Sequence, residues 1–358
     1  MEKIKLIHVG LGGWGLSWAR DAFPRHHDIC VVGYVDSDEA ALRRAQDALG
    51  LSSKLCFADL SLALRAVACD AVIVCLPVHL HAQIAAAALA AGKHVVVEKP
   101  FTSTLDEAHE LVGLAEAKGL ILMVSQNYRY FPAPVLAADI VGEGLLGRLG
   151  QIKVDFRQNA MASGHVYPGL KHPLLVDMAV HHYDLARMIV GEDPVELSCR
   201  SWNLEGSPFS GDASGAMVLS FPSGSVMSYR GSWVDQATET SWAGEWQMDF
   251  AHGSVLFTSR SGGHDWWARE RLSIKRLNGQ PEKQKLLSVK PHGRRGVLAA
   301  LATAIRNGRE PRHFPSGRSN LATLAIIEAA LRSSASAGAS VRIADVLAPS
   351  RPSALAAG

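Results

Sequence analysis

Three groups of polar residues have the types and spacing to do chemistry together: Gly10, Gly12 and Gly15 in a G-x-G-x-x-G turn, Glu98-Lys99-Pro100 after the apolar run Val95–Val97, and Asp177 with His181 downstream. In turn they offer a place for a dinucleotide, a cation and a base. A glycine-rich turn alone occurs in many proteins that are not enzymes, and a single lysine is most often a surface charge. The order of all three carries the reading. In the turn, the first glycine permits the tight bend, the second lets backbone approach a pyrophosphate, and the third lets a helix pack against the strand. Asp36 closes the second apolar run, twenty-one residues past Gly15. A carboxylate there accepts hydrogen bonds from adenosine ribose hydroxyls and repels a 2′-phosphate. NAD is therefore favoured over NADP, and Arg43 and Arg44 are the residues that weaken the preference.

Lys99 follows a strand of what reads as a nucleotide-binding sheet, and ligands bind outside the carboxyl ends of such strands. Pro100 fixes the backbone just after it. Asp177 and His181 are four apart on a predicted helix, so both side chains project from one face. A histidine on an amphipathic helix is more often a packed structural residue; the i, i+4 relation to Asp177 is what singles out His181. His182 is expected to point elsewhere and Asp184 to make a structural contact. Tyr167 and Lys171 match the Tyr-x-x-x-Lys pair of short-chain dehydrogenases, but Pro168 and Gly169 destroy the helix that pair requires.

The elements that must position these groups read as two domains. Ile4–Val9, Cys30–Val35, Ala71–Leu76, His94–Val97 and Ile121–Ser125 are short apolar runs separated by helical patterns, which predicts a parallel sheet covered on both faces. Asp38 caps a helix ending at Gly50, a second helix stops at Gly92, and Thr104 opens one ending near Gly119. After residue 126 alternating runs predominate: Gln151–Phe156, Val195–Trp202, Ala213–Phe221, Ser225–Trp233, Glu245–Phe250 and Ser254–Thr258 read as antiparallel strands. A helical pattern from Leu174 to Val190 interrupts them, and two more lie at Val297–Arg306 and Leu321–Ser333. The expectation is an α/β Rossmann-type domain over residues 1–126 and an α+β domain with a large open, mostly antiparallel sheet over 127–348. A Pro/Ala/Ser-rich tail over 349–358 reads as mobile.

Lys plus Arg (36) nearly balances Asp plus Glu (34), so the basic surplus of a nucleic-acid-binding protein is missing. Cys30, Cys56, Cys69, Cys75 and Cys199 show no C-x-x-C pair and read as small buried residues in a reducing compartment, with no metal or disulfide role. The first strand begins almost at Met1, leaving no secretory leader, and no apolar run reaches the ~20 residues of a membrane span. A cytoplasmic protein is expected. Of the tryptophans, Trp202, Trp233, Trp242, Trp246, Trp266 and Trp267 fall in the second domain, where core or oligomer packing is the default and one or two could stack on a sugar-like substrate. The stretch from Lys275 to Arg295 reads as a solvated loop.

The chain resembles the glucose–fructose oxidoreductase, inositol dehydrogenase and rhizopine-catabolism (Gfo/Idh/MocA) family. The resemblance rests on the Gly10–Gly15 turn, Asp36, Leu76-Pro77-x3-His81, Ala91-Gly92-Lys93-His94 running into Glu98-Lys99-Pro100, Asn127-Tyr128-Arg129-Tyr130, and Asp177-x3-His181-x-x-Asp184-Leu185. It implies hydride transfer between NAD(P) and a secondary alcohol of a sugar, sugar derivative or cyclic polyol, with homodimers or homotetramers formed through the open sheet. By the same resemblance Lys99, Asp177 and His181 are catalytic. Gly10, Gly12, Gly13, Trp14, Gly15, Asp36, Leu76, Pro77, His81, Glu98, Lys99 and Asn127 fall at the cofactor, and Lys99, Arg129, Asp177 and His181 at the substrate. His181 would remove the hydroxyl proton and Lys99 stabilise the alkoxide, with Asp177 holding one of them or a substrate hydroxyl. Two departures stand out: Lys171-His172-Pro173-Leu174-Leu175 replaces a glycine-rich run before the aspartate, and Ala179 replaces a frequent glycine. Two other functions fit the same motifs, a redox-assisted glycosidase or lyase and a non-catalytic dinucleotide-sensing regulator; intact Lys99, Asp177 and His181 argue against the regulator.

Overall fold

The structure is a computed structural model and describes residues 2–24, 26–160, 169–260, 270–286 and 290–348. Tyr167, Trp266, Trp267 and the 349–358 tail lie outside the described residues. The chain divides into two compact units, Met1–Asn127 with Pro291–Leu321, and Tyr128–Lys290 with Ala322–Ala348.

In the first unit β1 (Ile4–Val9), β2 (Ile29–Val35), β3 (Cys56–Phe57), β4 (Ala71–Val74), β5 (His94–Val97) and β6 (Leu122–Val124) form a six-stranded sheet in the order β3-β2-β1-β4-β5-β6. Every pairing is parallel. β4 is wholly buried, as a strand covered on both faces must be. The connecting helices are α1 (Gly13–Ser17), α2 (Glu39–Leu49), α3 (Leu60–Ala66), α4 (His81–Ala90) and α5 (Leu105–Ala117). Their ends follow the local signals. Asp38 accepts the Ala40 N–H at 2.9 Å, Gly50 ends α2 at φ +65°, and Thr104 with Glu107 forms a capping box on α5. Cys30 is exposed on β2, contrary to the reading of all five cysteines as buried, because the start of that strand keeps one face in solvent.

Residues 291–321 return to this unit, which a single boundary near residue 127 does not capture. Val124 N–H donates to Pro315 O at 2.9 Å, His26 Nε2 lies 3.1 Å from Arg295 O, and Arg306 Nη1 is 2.5 Å from Asp28 Oδ1. No local pattern announces contacts between residues this far apart along the chain.

The second unit is built on a nine-stranded sheet ordered β14-β13-β12-β11-β7-β10-β9-β8-β15. Its strands are β7 (Leu149–Arg157), β8 (Glu196–Trp202), β9 (Ser214–Ser220), β10 (Val226–Ser232), β11 (Glu245–Phe250), β12 (Gly253–Thr258), β13 (Arg271–Arg276), β14 (Glu282–Lys283) and β15 (Val341–Arg342). Only the β10–β7 pairing is parallel. Within Lys275–Arg295, Lys275, Arg276, Glu282 and Lys283 are exposed, as expected of a solvated stretch, but they lie in β13 and β14 rather than in a loop. Leu272 and Ile274 alternate with charged and polar neighbours and are buried at 1% and 4% exposure, opposite Phe257 and Val255. The charge of the outer face had masked a period-two pattern.

Two helices bear on the site, α6 (Pro132–Gly142) and α7 (Ala179–Val190). The expected single helix from Leu174 is divided into a π-helical turn, Leu174–Met178, and α7, which stops at Gly191 with φ +78°. Trp233 and Trp246 are core residues, whereas Trp202 is 39% exposed and Trp242 is half-buried.

Candidate active site

The turn after β1 has the shape of a dinucleotide cradle. Gly10 has φ +98°, and a Cβ on it would lie 2.3 Å from Cys75 O. A Cβ on Gly15 would lie 2.0 Å from Gly10 O, so only glycine lets α1 pack this close. A Cβ on Gly12 or Gly13 meets nothing within 4 Å. Those two face open space at the positive end of α1, where a pyrophosphate would sit. Asp36 is held beside it: Oδ2 accepts the Leu11 N–H at 2.7 Å and Oδ1 accepts the Asp38 N–H at 2.9 Å. Arg43 and Arg44 pair with Glu39 and Asp38 at 3.3 and 3.4 Å, leaving Asp36 the group oriented at the strand end.

The loops after β4 and β5 lie on the same carboxyl edge of this sheet. His81, buried at the start of α4, ties them together: Nε2 is 2.8 Å from Leu76 O, next to Pro77, and Nδ1 is 2.9 Å from Pro100 O. Glu98 is buried, with Oε1 accepting from Trp18 Nε1 at 2.7 Å and Ser125 Oγ at 3.1 Å, and Oε2 accepting the Lys99 N–H at 3.0 Å. Both residues, assigned to the cofactor by resemblance, thus fix the backbone that carries Lys99. Asn127 is buried in a 3-10 turn after β6. Trp14 is 46% exposed, and the Arg294 guanidinium lies 4.7 Å from its ring.

In the second unit Asp177 is half-buried in the π-helical turn and His181 is buried in α7. The Tyr128 ring stacks on the His181 imidazole with centroids 4.0 Å apart and planes 2° from parallel. Arg129, expected at the substrate or cofactor, is buried; its Nε and Nη2 donate to the two carboxylate oxygens of Asp184, each at 2.6 Å. That fork is a structural pair, as anticipated for Asp184. His182 faces away, 3.2 Å from the Tyr229 hydroxyl and 3.1 Å from Trp242 O, and burial lowers its pKa to about 4. The sequence reading gave no role to Tyr128, although it stands inside the quoted Asn127–Tyr130 motif. Neither did it find Arg260, whose Nη1 donates to the Tyr128 hydroxyl.

Comparison with known proteins gives the family. Residues 4–126 match the NAD-binding Rossmann fold of an oxidoreductase family, and residues 135–255 match the Gfo/Idh/MocA C-terminal domain. The chain belongs to the Gfo/Idh/MocA family. A D-apiose dehydrogenase from Paraburkholderia graminis is 27% identical over 84% of this chain and 79% of its own. A dTDP-3,4-didehydro-2,6-dideoxy-alpha-D-glucose 3-reductase from Streptomyces violaceoruber is 27% identical over 92% and 94%. The structure of a levoglucosan dehydrogenase in complex with NADH and levoglucosan superposes with a TM-score of 0.78 at 20% identity, covering 96% of this chain and all of the other. This last likeness shows the fold. As a Gfo/Idh/MocA protein the chain is an NAD-binding oxidoreductase of a sugar-related family, and the open Gly12–Gly13 cradle beside Asp36 fits that cofactor. Among the described residues no helix is long and apolar enough to cross a membrane.

Proposed function

We propose that this protein is a dehydrogenase that oxidises a secondary alcohol of a sugar, sugar derivative or cyclic polyol, or reduces the corresponding ketone. The observation that carries the reading is Lys99 on the carboxyl edge of β5, in the same sheet whose β1 and β2 ends form the cradle and hold Asp36. When bound, NAD supplies the hydride acceptor. His181 takes the proton from the reacting hydroxyl and Lys99 stabilises the negative charge on its oxygen, while Asp177 orients one of these groups or a substrate hydroxyl. Lys99→Ala and His181→Asn are each expected to lower kcat by roughly 10²-fold or more with NAD⁺ affinity nearly intact. A panel of sugars, inositols and sugar acids followed by NADH absorbance identifies the substrate for that test. Near-wild-type turnover in both variants would refute the assignment. Bond cleavage without net NADH would indicate the redox-assisted elimination instead.

We further propose that the chain assembles as a dimer or tetramer through the open sheet. Val218, Val226 and Leu256 are 48%, 39% and 48% exposed. The paired row Val218–Ser228–Lys153–Gln247–Leu256 places Val218 and Leu256 on one face. Such a face is covered at modest cost by a second copy. A monomeric mass by light scattering at micromolar concentration would exclude it.

A further inference from the structure

Arg260 occupies a position that the dehydrogenase reading leaves unused. It ends the run after β12 with φ +57°, a left-handed conformation that is unfavourable for a side chain with a Cβ and that persists where the surroundings enforce it. Its backbone is held on both sides: the N–H donates to Glu270 Oε2 at 3.1 Å, and the carbonyl accepts from Trp242 N–H at 2.9 Å. The guanidinium lies 4.5 Å from the centroid of Tyr128 and 5.9 Å from that of Trp242, and Nη1 donates to the Tyr128 hydroxyl. Tyr128 in turn stacks on His181. A cation is therefore fixed one aromatic ring away from the proposed base, beside a half-buried tryptophan.

Among the described residues no carboxylate neutralises it. Glu270, the acid nearest its backbone, is engaged with neutral donors instead, the Ala133 N–H at 2.8 Å and the Ser259 hydroxyl at 2.9 Å as well as the Arg260 N–H. Burial raises the Glu270 pKa, and its hydrogen bonds to these groups oppose the rise. A half-buried guanidinium held over aromatic rings is suited to a planar anion, because its fork matches the two oxygens of a carboxylate.

We infer that Arg260, backed by Tyr128 and Trp242, binds a carboxylate on the substrate, so that the protein acts on acidic sugars rather than neutral ones. This rests on the assignment of His181 as the base, since it is the stack on His181 that brings Arg260 to the reacting end of the unit.

The test is titration calorimetry on the NAD⁺-saturated protein with D-glucuronate and D-galacturonate against D-glucose, D-galactose and D-glucose 6-phosphate. The acids are expected to bind at least about tenfold more tightly than their neutral counterparts, the share of one charge-assisted contact. Arg260→Met should bring acid and neutral sugar to within about twofold, and Arg260→Lys should keep part of the preference, with melting curves showing that both variants fold. Equal binding of acid and neutral sugar, no binding of either acid, tighter binding of the phosphate ester, or a preference that survives Arg260→Met would each overturn the inference. The two readings separate in turnover. An Arg260-dependent acid preference without NADH formation keeps the anion site and removes the dehydrogenase, whereas NADH formed from neutral sugars equally well by Arg260→Met does the reverse.

Discussion

In the first unit the groups proposed to meet a cofactor are mostly main chain: a turn that only glycine can make at Gly10 and Gly15, open space at Gly12 and Gly13, and one carboxylate oriented by the N–H groups of Leu11 and Asp38. In the second unit the candidate chemistry is held by side chains from separate elements, with His181 on α7 under Tyr128, and Arg260 reaching Tyr128 from 132 residues away. Main-chain geometry is set by a few adjacent residues and carries a local sequence signature. A side-chain stack is set by packing, so its members are ordinary residues until the fold brings them together.

The largest effect that separates the two units is expected at the buried fork in the second. Asp184→Ala removes the bidentate carboxylate from the buried Arg129 guanidinium, and should cost about 3–5 kcal/mol in a urea unfolding experiment. Replacing both partners by apolar residues of similar volume should recover much of that loss. A small loss in the single variant would mean that Arg129 has another anion, and would return it to the substrate side.

Acid should weaken both units, each through one fully buried imidazole. Burial lowers the pKa of His8 on β1 to about 3 and that of His182 on α7 to about 4. Both folded values lie below the unfolded one, so their contribution is complete above about pH 6.5 and is lost as pH falls towards those values, by about 1.4 kcal/mol per pH unit for each imidazole. Unfolding midpoints between pH 7 and 4.5 should slope accordingly, with His8→Leu and His182→Gln each removing one share. A flat profile would contradict the burial of both.

Within the first unit, three substitutions sharpen the contrast by separating stability from affinity. Gly15→Ala puts a methyl group into Gly10 O and should destabilise the unit by about 1–3 kcal/mol, as overpacking does. Gly12→Ala meets nothing within 4 Å, so the melting temperature should not change while NAD⁺ affinity falls about tenfold or more. Asp36→Ala should have the smallest effect, narrowing the preference for NAD⁺ over NADP⁺ by removing ribose hydrogen bonds and a repelling charge. Calorimetric titration of both cofactors measures the last two. A Gly12→Ala variant with full affinity, or a wild type that prefers NADP⁺, would mean the cradle is misread.

Periodicity and turn residues alone determined the parallel sheet, the ends of α2 and α5, the cradle at Gly10–Gly15, and the placement of Asp36 and Lys99 at strand ends, because each depends on residues within a turn or two of one another. Spacing also singled out Asp177 and His181, whose chemical role is a proposal and which fall in a π-helical turn and in α7 rather than on one regular helix. Only the tertiary structure decided that residues 291–321 rejoin the first unit, that Arg129 belongs to Asp184, that a π-helical turn precedes α7, and that Arg260 lies over Tyr128 and Trp242 while Tyr128 stacks on His181. The physical reason is the range of the forces involved. Backbone preferences act between neighbours and leave a pattern in the sequence, whereas side-chain packing and buried charge pairing act between residues whose separation along the chain carries no information about their separation in space.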